Sequence, residues 1–172
     1  MLEDPLNPSL QDAINDQIQA EFYSAYLYLS MSTYCTERNL TGFASWMRLQ
    51  AQEEVSHAMR LVTFMQDRGA PVKLQALGEP PHEFGSPLEI MQASLDHERL
   101  VTGRIHKLYA MASEAGDYPA QVEFQWFITE QVEEEASIDE IVQRLKMFGT
   151  DGTALLMVDT QLGTRTPEQE AE

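Results

Sequence analysis

The chain is short of three things, and each shortage excludes a class of protein. One cysteine, Cys35, among 172 residues allows no intramolecular disulfide and no cysteine-rich metal domain, and it suits a reducing compartment. The most apolar stretch, Phe22 to Met31, is about half the length a bilayer requires and is interrupted by Ser24 and Ser30. Basic side chains number 11 against 28 acidic ones, a formal charge of −17. That balance disfavours a nucleic-acid backbone or an anionic membrane as partner and favours metal cations or basic partners. The opening Met1-Leu2-Glu3-Asp4-Pro5 has neither the basic nor the apolar region of a signal peptide, so the expected location is the cytoplasm.

What remains is ordinary for a folded chain: 43% apolar and 23% charged residues. The expected unit is a single domain over 1–172, with its core in four long segments rich in Ala, Leu, Met, Gln and Glu that carry helical periodicity. The first runs from about Ser9 to Arg38, with Ser9 as its expected cap, and the second from about Thr41 to Arg68. Gly69 and Pro71 stop the second helix. Ala70 to Gly85, with three prolines and two glycines, is a long connection without period. Ser86-Pro87-Leu88-Glu89 is a capping box opening a third helix that ends near Gly116, and a fourth runs from about Pro119 to Phe148. Short connections make antiparallel neighbours and a long one crosses the length of a bundle. The expected fold is therefore an all-α four-helix bundle over about 9–148, with one long crossover between helices two and three. A short fifth helix is expected over Asp151 to Leu162, and a frayed tail over Gly163 to Glu172. Phe22 to Leu29 is apolar nearly all round the helix, more than one core needs, which points to a subunit interface.

Each long helix also places a carboxylate on its apolar stripe, where burial is costly without a partner. Glu21 lies on the face of Ile14, Ile18 and Tyr28, Glu54 and His57 among Phe43, Met47, Leu61 and Phe64, and Glu98 between Leu95 and Ile105. Gln131 and Glu134 lie among Phe127, Ile138 and Ile141. The spacing repeats. Adding 77 to positions 21, 54 and 57 gives 98, 131 and 134. The chain thus reads as two similar hairpins, each supplying one carboxylate and then an i, i+3 pair. Glu21, Glu54, Glu98 and Glu134 carry four negative charges, which two divalent cations cancel. Mostly oxygen ligands with one imidazole suit iron, manganese or, less well, zinc.

Over about Ser9 to Leu162 the chain resembles the ferritins, specifically the non-haem bacterial type. Glu21 with Tyr28 carries the resemblance, together with Glu53-Glu54-Val55-Ser56-His57-Ala58, Asp96-His97-Glu98-Arg99-Leu100-Val101-Thr102 and the run from Trp126 to Glu135. The resemblance implies a ferroxidase centre. Glu21, Glu54 and His57 would hold one iron, with Glu54 bridging, and Glu98 and Glu134 would hold the other, with Gln131 nearby. It also implies a third iron site formed by Glu53, Glu130, Glu133 and Glu134, and an electron-donating or hydrogen-bonding role for Tyr28. Fe(II) and dioxygen or peroxide would be the reactants, and the product a ferric mineral inside a shell of twenty-four copies. Asp117 and Glu123 are pore candidates by the same analogy. Haem is not expected, because Val55 and Glu134 stand where a haem-binding relative has a methionine and a second histidine. Glu135 reads as part of a solvated face, His82, His97 and His106 as surface or interface residues, and Trp126 as core. Two other functions fit the same helices: a dimeric di-iron or dimanganese redox enzyme, and a metal-free structural bundle.

Overall fold

The computed structural model describes residues 6–167. Five helices follow one another: α1 (Pro8–Glu37), α2 (Thr41–Asp67), α3 (Pro87–Glu114), α4 (Tyr118–Phe148) and α5 (Gly152–Leu162). The main pairings are α1 with α2 and α3 with α4, so the architecture is the expected bundle with one crossover and a short last helix. Among the described residues no helix is long and apolar enough to cross a membrane.

Local chemistry accounts for the helix ends. The Ser86 side chain accepts from the Glu89 amide and the Glu89 carboxylate accepts from the Ser86 amide, the capping box read from the sequence. Gly69 and Gly116, with φ of 62° and 67°, take the left-handed conformation that stops α2 and α3. The cap of α1 differs from expectation: Asn7, not Ser9, is the N-cap, its side chain accepting from the Ser9 amide, while Pro8 takes the first helical position. At the start of α2, Leu40 offers no side-chain cap, and the acceptor comes from across the molecule. Asp159 of α5 takes the Phe43 amide at 2.9 Å.

The long connection is fastened to α1 along its length. Asn15 donates to the Pro71 carbonyl and accepts from the Lys73 amide, Gln19 donates to the Ala76 carbonyl, Ser30 donates to the Pro81 carbonyl, and the Tyr34 hydroxyl bonds at Gly85. Contacts that climb α1 in chain order over some twenty residues carry the connection about 30 Å, one bundle length. Asn15 is fully engaged in this role, which explains a buried amide on an apolar stripe.

The core has two apolar clusters. One gathers Leu27 and Met31 of α1, Phe43 and Met47 of α2, Met91 and Leu95 of α3, and Ile138 and Val142 of α4. The other gathers Ile14 and Ile18, Leu61 and Met65, Val101 and Ile105, and Phe124 and Phe127 of the same helices. In every helix the gap between the two clusters falls at one level, and that level is polar: Glu21, Glu54 with His57, Glu98, and Gln131 with Glu134, all buried.

The expectation of a frayed end from Gly163 is corrected for its first residues. The Thr164 amide donates to the Gln161 carbonyl, and Arg165 reaches α2 through polar contacts that no hydrophobic pattern reveals. Residues 168–172 of that expected tail lie outside the described residues.

Candidate metal centre

Glu21, Glu54 and His57 each present a ligand atom within 4.8 Å of one another, and all three residues are buried. His57 Nδ1 is 3.7 Å from Glu54 Oε2, and edge contacts to Trp126 and Phe127 hold its ring. Glu21 Oε2 and Glu54 Oε2 meet no N–H or hydroxyl donor among the described residues, and the two carboxyl groups are left to hydrogen-bond each other. A buried carboxylate oxygen without a donor costs stability, and a cation is the partner that removes the cost.

The second half of the polar belt is better furnished. Glu98 accepts from the Tyr28 hydroxyl and, at 3.1 Å, from Gln131 Nε2, which also reaches the Glu98 carbonyl and Thr102 Oγ1. Glu134 accepts from Gln50 Nε2 at 2.8 Å. Sequence reasoning missed Gln50, and likewise Gln17, which donates to Glu21 Oε1 at 2.7 Å. Each lies one helical turn before a glutamate of the belt, on its face, and that position was the available signal. Each amide is also turned by an arginine: Arg104 donates to Gln17 Oε1 and Arg165 to Gln50 Oε1, so both NH₂ groups point at carboxylates.

Electrostatics show what the belt lacks without cations. Burial, and then the charges of Glu98, Glu21 and Glu134, hold the Glu54 carboxyl far above the usual carboxylate range. Burial pushes Glu98 up to about 7 although the Tyr28 and Gln131 hydrogen bonds pull it back. Burial and the neighbouring Glu98 push Glu134 up to about 8. Burial and the charges of Glu98, Glu54 and Glu134 likewise keep Tyr28 protonated, as a donor. The carboxyls hold protons that entering cations would displace.

A cleft of about 760 Å³ opens on this belt, lined by Glu53, His57, Arg60, Glu123, Glu130 and Glu134 among others. Glu53 stands at its wall, gripped by Arg165 Nη2 at 2.9 and 2.7 Å. Glu130 is half-buried there, and Glu133 is exposed and does not line the cleft. Trp126, expected in the core, is half-buried: one side packs against the second apolar cluster and the other lines the cleft, where Arg60 stacks on its ring at 4.0 Å. His97, expected at the surface or an interface, is half-buried and packs toward α1. Its Nε2 is 2.7 Å from Ser24 Oγ and its ring stands edge-on to Tyr28, so burial lowers its pKa. Glu135 is half-buried and accepts from Thr102 Oγ1 at 2.6 Å, which extends the Gln131 network. His82 and His106 are exposed. Asp117 is occupied structurally, capping α4 through the Ala120 amide and taking Arg68 at 2.8 and 3.0 Å, while Glu123 pairs with Arg60 at 2.7 Å.

Four helices meet in a buried belt of carboxylates and one histidine, and Glu21, Glu54 and His57 of that belt form a group able to hold a metal ion. The ferritin-like domain profile matches residues 11–148, and the chain belongs to the ferritin family. It is 36% identical over 165 residues to a bacterial non-heme ferritin of Staphylococcus aureus, covering 96% of this chain and 99% of that one. It is 35% identical to a probable bacterial non-heme ferritin-like protein of Haemophilus influenzae, covering 92% and 96% of the two. Among solved structures, an open pore ferritin from the hyperthermophilic archaeon Archaeoglobus fulgidus superposes with a TM-score of 0.93 at 46% identity, over 94% of this chain and 99% of that one.

Proposed function

We propose that this ferritin takes up Fe(II), oxidises it in pairs within each subunit, and stores the ferric product inside a shell of its own copies. The observation that carries the reading is the buried group of Glu21, Glu54 and His57, with two carboxylate oxygens that no N–H or hydroxyl donor meets. Glu54 is assigned as the bridge, Glu98 and Glu134 as ligands of the second ion, and Gln131 as a neighbour that orients Glu98. Iron is the substrate. Two Fe(II) ions give up two electrons. Dioxygen taking both with two protons becomes hydrogen peroxide, and peroxide taking both with two protons becomes two waters. The carboxylates hold the two cations side by side and balance the charge that oxidation adds, while cation entry releases the protons carried by Glu54, Glu98 and Glu134. Tyr28, donating to Glu98, is placed to orient that ligand and to supply an electron. Glu53, Glu130 and Glu134, which line the cleft, are proposed as an outer site for a third ion, with the exposed Glu133 beside them as its outermost ligand.

The proposed shell has twenty-four subunits, each a single domain spanning 1–172, in the cytoplasm. Support comes from the apolar groove of about 690 Å³ on the α1–α2 face, where Tyr26, Leu29 and Val55 are left 47%, 42% and 42% exposed. The charge of −17 per copy draws cations to such a shell. Aerobic addition of Fe(II) to sized protein tests the reading. A fast absorbance phase should end near two Fe(II) per subunit, with slow growth to hundreds, in a species of about 470 kDa. A species near dimer mass would leave a redox enzyme without a store, and no oxidation above the buffer rate would remove the ferroxidase assignment.

A further inference from the structure

The chain beyond α5 is aimed back at the metal centre. α5 docks on the start of α2 so closely that a Cβ at Gly42 would lie 1.6 Å from the Asp159 carbonyl oxygen. The Asp159 carboxylate accepts the Phe43 amide, and Arg144 donates to Gln161 at 2.7 Å. With α5 fixed in this way, Arg165 falls along α2 and its guanidinium lies 4.9 Å from the centre of the Trp46 ring. One nitrogen donates to both oxygens of Glu53, and another donates to Gln50 Oε1. Gln50 is fully buried and passes its own donor to Glu134 at 2.8 Å. A single covalently tethered cation is therefore bonded to one carboxylate of the cleft wall and, through one amide, to another.

A guanidinium that makes charge-assisted bonds to both oxygens of a carboxylate occupies the positions a metal ion would use. With Arg165 on both oxygens of Glu53, a metal ion must compete with the guanidinium for that carboxylate. We propose that Arg165 is a built-in counter-ion that keeps the carboxylates lining the cleft, Glu53, Glu130 and Glu134, closed to metal, so that a third metal ion binds only by displacing it. The inference rests on the two-ion site and the outer site proposed above and adds an order of filling. The inner pair, which Arg165 does not touch, fills first. The third ion enters on release of the segment beyond α5, and that release also frees Gln50 and lets Glu134 turn between the inner pair and the cleft. Arg165 is thus a positioning residue for Glu134 as well as a competitor for Glu53.

Calorimetric titration of the assembled, metal-free protein with Zn(II), which does not oxidise, tests this. The wild type should bind two ions per subunit tightly and a third weakly. Arg165→Gln should bind the third about tenfold more tightly or better, and Arg165→Gln with Glu53→Gln should lose the gain. A third-ion affinity in Arg165→Gln within about twofold of wild type, or a gain that survives in the double variant, would overturn the clasp. Should Arg165→Gln fail to assemble, Arg165→Lys carries the test, since it keeps the charge and loses the two-pronged grip. A gain of about threefold that Glu53→Gln abolishes supports the proposal, and an affinity equal to wild type overturns it. Absence of the first two equivalents from the wild type would overturn the metal-site assignment together with the clasp, whereas their presence with an unchanged third overturns the clasp alone.

Discussion

Removing divalent cations should make the protein lose stability as pH rises from 5 to 8.5, the reverse of the usual behaviour of carboxylates held in salt bridges. Glu98 and Glu134 stand at about 7 and about 8 in the folded state against an ordinary value of 4.5. Below 4.5 both the folded and the unfolded chain are protonated at these positions, and neither group favours either state. Between 4.5 and the folded values the unfolded chain has lost protons that the folded chain keeps, so stability falls with each step in pH. One pKa unit is worth about 1.4 kcal/mol. Because the two carboxyls face the same small space and titrate as a system, their combined cost above pH 8 is on the order of 5 kcal/mol. Two divalent cations should remove it. Urea denaturation of the chelator-treated protein at fixed subunit concentration, at pH 5.5 and 8.5 with and without Zn(II), measures the effect. The expected result is a midpoint that falls with pH in the apo protein and recovers with Zn(II). Glu54→Gln with Glu98→Gln and Glu134→Gln should flatten the dependence, because burial alone also raises Glu54. A slope that persists in that triple variant would place its origin in the repulsion of the −17 surface charge and refute the reasoning.

Other variants separate the centre from its scaffold. Tyr28→Phe removes the donor to Glu98 and should slow Fe(II) oxidation about tenfold while two-ion binding in calorimetry persists. Gly42→Ala puts a methyl group into the Asp159 backbone and should destabilise the subunit by about 2 kcal/mol in denaturant titration. Asp117→Ala deletes both the α4 cap and the Arg68 pair. It should destabilise by about 2–3 kcal/mol and leave the rate of iron oxidation unchanged.

The bundle was legible because each helix writes its apolar stripe at a period of 3.6, and because Gly69 with Pro71, Gly116 and Gly149 punctuate the chain where the structure turns. The polar belt was legible for a related reason: a glutamate on an apolar stripe is conspicuous, and four of them at a repeated spacing define one level of the bundle. The parts that could not be read are contacts whose two ends lie far apart in sequence and whose residue types are common at surfaces. Asp159 caps a helix 116 residues earlier, and nothing near either residue marks the other. Arg165 is one charge in a polar tail, and only the close docking of α5 brings it to Glu53. His97 sits one position from Glu98 on the helix, off the ligand stripe, and reads as a surface or interface residue. It is half-buried because Ser24 and Tyr28 of α1 come to meet it. Gln17 and Gln50 stood on the right faces, and their importance follows from the arginines that turn them.

Anomalous diffraction from crystals soaked in Zn(II), or in Fe(II) without oxygen, tests the central claim most directly. Two ions per subunit should appear, about 3.5–4 Å apart, with Glu54 touching both, Glu21 and His57 on one, and Glu98 and Glu134 on the other. A single ion in the belt, or ions confined to the acidic exterior with the belt empty, would contradict the account.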